Sequence, residues 1–117
     1  MIQYCNINGR LVDAQSATVP VHDLGLIRGY GVFDYFLIEA GQPLFVDDYA
    51  ARFLHSAQHM HLDLGLTHEQ LKEQIFKLIE ANGLKEGGMR LLATGGVSPN
   101  NFEPTAPAFM MMMNEAG

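Results

Sequence analysis

One cysteine, no tryptophan and only seven cations are spread over 117 residues, and each shortage excludes something. Cys5 alone cannot close an internal disulfide, which fits a reducing compartment. Four arginines (Arg10, Arg28, Arg52 and Arg90) and three lysines (Lys72, Lys77 and Lys85) stand against 13 acidic residues, for a net charge of −6. The arginines are scattered, so they form no basic stripe for a nucleic-acid backbone. No apolar stretch is long enough to cross a bilayer. The opening Met-Ile-Gln-Tyr-Cys-Asn has neither the basic region nor the apolar run of a secretory signal. The expectation is a soluble cytoplasmic protein with no nucleic-acid or membrane partner.

The composition is globular, with 48% hydrophobic and 17% charged residues. A chain this long makes one domain and buries roughly two-thirds of its unfolded surface. Ile2 to Ile7 and Arg10 to Val12 read as strands around Asn8-Gly9, a pair that accepts the positive φ of a tight hairpin. Asp13 to Arg28 is a connection. Val32 to Glu39 is aromatic and β-branched, hence a strand, and Ala40-Gly41-Gln42 turns it back into Pro43 to Val46. Asp47 is placed to cap a helix over Asp48 to Leu62. Thr67 and Gln70 match a capping box for a second helix, whose apolar stripe is Leu71, Ile75, Leu78 and Ile79. Gly83 suits its C-terminal left-handed cap. Met89 to Thr94 and Ala108 to Met113 are strands around an aperiodic loop from Gly95 to Pro104, and the methionine run suits burial on both faces. The order β-β-β-β-α-α-β-β segregates strands from helices. It predicts an α+β domain: an antiparallel sheet of hairpins covered by two helices.

Four segments in order carry a resemblance. They are Ile7-Asn8-Gly9-Arg10-Leu11-Val12, then Val21-His22-Asp23 through Arg28-Gly29-Tyr30-Gly31-Val32-Phe33-Asp34, then Asp48 to Ala57, and finally Met89-Arg90 with Thr94-Gly95-Gly96. Together they resemble the N-terminal small domain of fold-type IV pyridoxal-phosphate enzymes, which include class IV aminotransferases and aminodeoxychorismate lyases. The resemblance implies pyridoxal 5'-phosphate as cofactor, amino acid and 2-oxo acid substrates, and a homodimer. It assigns the cofactor phosphate to Arg52, whose planar guanidinium can give two parallel charged hydrogen bonds. It puts Phe33 on the substrate pocket, although a strand phenylalanine also serves as plain core. Arg28 and Arg90 match positions that face substrate in some relatives, and either side chain could equally point to solvent. Gly95 stands where D-amino-acid transaminases carry an arginine, which leans the subtype toward branched-chain aminotransferase or lyase.

The Schiff-base lysine of this family belongs to a C-terminal domain, and residues 1–117 match only the N-terminal one. Lys72 and Lys77 lie among Glu69, Glu73 and Glu80, which favour the charged amine. Lys85 is expected to be exposed. The expectation is an N-terminal half, inactive alone, that needs its own lysine-bearing domain. Three rivals have less behind them. His55, His59 and His61 offer a helical zinc spacing but lack the accompanying carboxylate, so no metal is expected. A non-catalytic dimerisation module would use the methionine run and the strand from Phe33 to Ile38. Cys5 has no base nearby in sequence and reads as a small buried hydrophobe rather than a nucleophile.

Overall fold

The computed structural model describes residues 2–102 and 105–116. Positions 103 and 104 of the expected loop, and the terminal residues Met1 and Gly117, lie outside them. The elements run β1 (Tyr4–Ile7), β2 (Arg10–Asp13), α1 (Leu24–Ile27), β3 (Gly31–Glu39), β4 (Gln42–Pro43), α2 (Val46–His59), α3 (His68–Asn82), β5 (Gly87–Thr94) and β6 (Ala108–Glu115). The six strands form one antiparallel sheet in the order β2-β1-β6-β5-β3-β4. The α+β class predicted from the segregation of elements is the fold observed.

Side chains leave a strand on alternating faces, and here the two faces differ. Phe36 and Ile38 of β3, Met89, Leu91 and Ala93 of β5, and Phe109, Met111 and Met113 of β6 point to one side. There they meet Ala50, Phe53 and Ala57 of α2 and Leu71, Ile75, Leu78 and Ile79 of α3 in a single core. Neither α2 nor α3 covers the opposite face across β3, β5 and β6, and Phe33, Leu37 and Met112 are exposed on it. The methionine run therefore divides. Met111 and Met113 enter the core, Met110 is buried on the other face, and Met112 is 41% exposed, which corrects the expectation of burial on both sides.

Local signals fixed several boundaries. The Thr67 hydroxyl accepts from Gln70 N at 3.1 Å, and Thr67 N donates to Gln70 Oε1 at 2.9 Å. Gly83 closes α3 at φ +62°. Helix α2 departs from its expected limits. Its N-cap is Phe45 in a left-handed conformation at φ +55°, with no side-chain cap. The β3–β4 pairing ends at Pro43, and Phe45 turns the chain directly into the helix. Asp47 and Asp48 sit in the first turn, where the helix dipole still favours them. The helix stops at His59, and His61, at φ +58°, lies beyond it. The short helix α1 was not anticipated. Its N-cap is Asp23, whose carboxylate accepts from Gly25 N at 2.7 Å.

A polar brace ties the starts of the two long helices. Lys72 Nζ lies 2.7 Å from Asp47 Oδ1, and His68 Nε2 lies 3.1 Å from the Asp47 carbonyl. The backbone contact with Asp47, then the Glu69 carboxylate, raises the His68 pKa above its ordinary 6.5. A raised folded-state value stabilises the fold below the unfolded pKa, and that contribution disappears as pH rises through the folded value. Urea unfolding should therefore show this contribution being lost as pH rises above the ordinary histidine value of 6.5. His68→Gln should flatten that segment of the profile. Thr67→Ala, by removing the capping box, should cost about 1 kcal/mol in the same assay.

Candidate active site

The site is built around β3. Its inner edge pairs with β5 along all but its last residue, from Gly31 opposite Thr94 to Ile38 opposite Gly87. Its outer edge pairs only at Ile38 and Glu39, with β4. Among the described residues, the outer edge beside residues 31–36 has no strand partner. Two features flank this edge, one from each face of the sheet.

On the open face lies an apolar recess of about 370 Å³, a size suited to a small organic ligand. Phe33, Leu92, Met110 and Met112 form its floor, and Leu26 and Val19 form its far wall. A hydrogen-bonded knot holds that wall in place. The buried Asp23 carboxylate accepts from Gly25 N and, at 2.9 Å, from the Thr94 hydroxyl, which in turn accepts from Gly96 N at 3.1 Å. Leu24 N donates to the Gly96 carbonyl at 2.8 Å. Gly31 borders the recess, and a Cβ there would lie 2.8 Å from the Ala93 carbonyl oxygen.

On the helix face stands Arg52 of α2. Its Nε donates to Asp34 Oδ2 at 2.8 Å, and its Nη2 donates to Asp34 Oδ1. The Asp34 side chain is 6% exposed and that of Arg52 is 62% exposed. The ring of Tyr49 lies 4.8 Å from the guanidinium carbon. The Asp34 hydrogen bonds, then its charge, raise the Arg52 pKa above its ordinary value, so the cation is permanent. The guanidinium fronts a shallow recess of about 240 Å³ lined by Phe45, Asp48 and Tyr49.

The residues singled out in the sequence thus occupy different places. Phe33 is 67% exposed on the open face and lines the apolar recess. Arg52 is on the other face, yet its partner Asp34 is the next residue to Phe33, so both sit at one strand edge. Arg90 belongs to the open face, two residues from Leu92, and its guanidinium carbon lies 5.6 Å from the Tyr35 ring. It borders the recess without lining it. Arg28 follows α1, and its guanidinium carbon lies 4.7 Å from the centre of the Phe102 ring; Arg28 does not itself line the recess, although Leu26 and Gly29 beside it do. Sequence reasoning missed Asp34, Tyr35, Leu92, Met110 and Met112. The last four share the open-face parity of Phe33, and strand alternation could have found them.

None of the three lysines lines either recess. Lys72 is held by Asp47, and Lys77 pairs with Glu73 at 3.0 Å. Lys85 lies beside the Gly41 turn. His55 and His59 meet edge to face, with ring centroids 4.6 Å apart. Cys5 is buried, and desolvation followed by the Asp13 charge raises its pKa, away from thiolate reactivity.

The domain is thus a two-layer α+β fold that carries an exposed guanidinium at one edge of β3. Residues 31–117 match the family model described as amino-transferase class IV, and the chain belongs to that family. The D-alanine aminotransferase of Staphylococcus haemolyticus is 35% identical over 101 residues, covering 86% of this chain and 36% of that protein. Two solved structures share the fold. The branched-chain amino acid aminotransferase from Escherichia coli matches with a TM-score of 0.90, at 20% identity, over 99% of this chain and 42% of that one. The 4-amino-4-deoxychorismate lyase of Pseudomonas aeruginosa matches with a TM-score of 0.78, at 22% identity, over 97% and 40%. The chain thus spans well under half the length of each of these proteins.

The sequence relative and the glycine at position 95 point to different subtypes. Gly95 is sterically closed, since a Cβ there would lie 2.7 Å from Leu24 Cδ1 and 3.0 Å from Leu24 Cβ. Leu24 is fully buried, so it has little room to yield. Gly95→Ala should destabilise the domain by about 1–3 kcal/mol through overpacking, measured as a lower denaturation midpoint with an unchanged m-value.

Proposed function

We propose that this chain supplies the phosphate-holding and substrate-lining half of a pyridoxal-phosphate-dependent class IV aminotransferase. Such an enzyme moves an amino group between an amino acid and a 2-oxo acid. The observation that carries the reading is the edge of β3, where a permanent cation and an apolar recess flank one stretch of strand that has no partner on its outer side. The residues present fit the anionic end of pyridoxal phosphate. Arg52 has five N–H donors, and Asp34 takes two, so three remain for phosphate oxygens.

Phe33, Leu92, Met110 and Met112 would line the substrate side and exclude water from it. Their lining suits an apolar side chain on the amino acid. Arg90, at the border of that recess, is placed to take a substrate carboxylate. Arg28 has a smaller part in this reading, because its guanidinium is engaged by Phe102. When bound, the cofactor supplies an electron sink for carbanion chemistry. The amine that must capture its aldehyde is not furnished by these residues, because the lysines lie away from both recesses and two of them are ion-paired. We therefore read the chain as inactive alone. In this reading it is completed by a lysine-bearing second domain and works as a homodimer. Lyase chemistry is the second reading, favoured by the shared fold of the aminodeoxychorismate lyase. The aminotransferase is preferred on its sequence relative.

The test is binding of pyridoxal phosphate to the 117-residue chain, followed by NMR and by borohydride trapping. Resonances of Arg52, Asp34 and Phe33 should shift. Arg52→Ala should weaken binding about 10- to 100-fold, as for the loss of charged hydrogen bonds. Trapping should leave no single preferred pyridoxyl-lysine among Lys72, Lys77 and Lys85. Shifts confined to another surface, affinity indifferent to Arg52→Ala, or one lysine trapped stoichiometrically would remove the assignment.

A further inference from the structure

Asp34 occupies a costly position. It lies on the core face of β3, between Val32 and the fully buried Phe36, in a row of apolar side chains. A carboxylate 6% exposed is tolerated only when paired and hydrogen-bonded. It satisfies that need with Arg52 Nε and Nη2, and its Oδ1 also accepts from Tyr35 N at 3.1 Å. The carboxylate is thus anchored by the sheet itself, whereas the guanidinium reaches it from an exposed helix position.

The consequence for Arg52 is orientation. A free arginine samples many rotamers, and fixing them costs binding free energy when a ligand arrives. Here two in-plane hydrogen bonds define the guanidinium plane, and Tyr49 covers one of its faces. The remaining N–H groups, both on Nη1 and the outer one on Nη2, point away from Asp34. Asp48 lines the same recess, and its charge opposes an anion, so a single guanidinium must be well aimed to hold one.

We propose that Asp34 is a positioning residue. It grips Arg52 by the Nε–Nη2 edge and so presents the opposite edge to the phosphate of the cofactor. This rests on the phosphate role given to Arg52 above. The alternative is that the pair only fastens α2 to β3. The two ideas predict effects of opposite sign. Asp34→Asn removes a negative charge beside the bound anion, so electrostatics alone should tighten phosphate binding. Loss of positioning should weaken it.

The experiment titrates inorganic phosphate into the 117-residue chain while NMR follows the Arg52 Nε–H signal. In the wild type that proton should exchange slowly with solvent and shift on phosphate addition. In Asp34→Asn the exchange protection should vanish, and the phosphate dissociation constant should rise at least about fivefold, as for weakening one charged hydrogen bond. Asp34→Glu, which keeps the charge, serves if the asparagine variant does not fold. Across whichever variants fold, protection and phosphate affinity should rise and fall together. Protection lost with affinity unchanged or improved would overturn the positioning role and leave Arg52 as the phosphate ligand. Protection kept with affinity lost would also overturn it. Phosphate that leaves the wild-type Arg52 signal unmoved would overturn the phosphate role itself.

Discussion

In an extended strand, neighbouring side chains must leave on opposite faces, and nine consecutive residues of β3 obey that rule. Much of the site follows from it. Phe36 and Ile38 are committed to the helix layer, so Asp34 is committed with them, and Phe33, Tyr35 and Leu37 are committed to the open face. A register slip of one residue would invert the set, burying Phe33 and expelling Asp34. Pairing with β5 from Gly31 to Ile38 and the packing of Phe36 in the core with α2 prevent that slip. The site's polarity is thus fixed by the same contacts that hold the core.

The helix layer does more than cover one face. Helix α2 buries Ala50, Phe53 and Ala57 against the sheet, so residues off that stripe face outward or to the sheet margin. Arg52 is one of these. Its backbone is set by the packing of its neighbours, and its side chain is set by Asp34. The fold delivers the cation twice over, once through a rigid helix and once through a buried acid. The open face is organised differently. Its recess depends on loop geometry, where Asp23, Thr94 and the Gly95-Gly96 turn lock α1 against the end of β5. A packed core supports one side of β3, and a polar knot supports the other.

The legible parts of this structure are those fixed by neighbours in sequence. The Asn8-Gly9 turn, the Thr67–Gln70 capping box and the Gly83 cap each need only a few residues, and each stands where its chemistry places it. Non-local facts were not legible. The sequence order does not show that β6 inserts between β1 and β5, because that arrangement depends on closing long loops around a shared core. Phe45 was hidden for another reason. A bulky residue in the left-handed region runs against its intrinsic preference, and only the exit from β4 into α2 imposes it. Helix α1, at four residues, is too short for periodicity to register. Within the candidate site, Arg52 and Phe33 were proposed from the sequence. The acid that joins them was masked by the apolar run around it, and the contact that draws Arg28 to Phe102 spans two loops.

The distribution of charge acts differently on the lysines and on Arg52. The Lys72 pKa is raised, first by the Asp47 hydrogen bond, which keeps its amine protonated. Lys77 is paired with Glu73. A nucleophilic amine needs the reverse surroundings, either an apolar pocket or a nearby cation that favours the neutral form. The one strongly apolar recess of the site contains no amine. Arginine faces the opposite requirement, since its use at an anion site depends on remaining charged, and a carboxylate partner helps rather than harms it. Carboxylates that disfavour Lys72 and Lys77 as nucleophiles thus have no such effect on Arg52, whose proposed phosphate role requires only that it stay a cation. In the proposed reading it is therefore Arg52, not the surrounding carboxylates, that would hold a coenzyme's anionic end, and the covalent step would need an amine supplied from outside these two recesses.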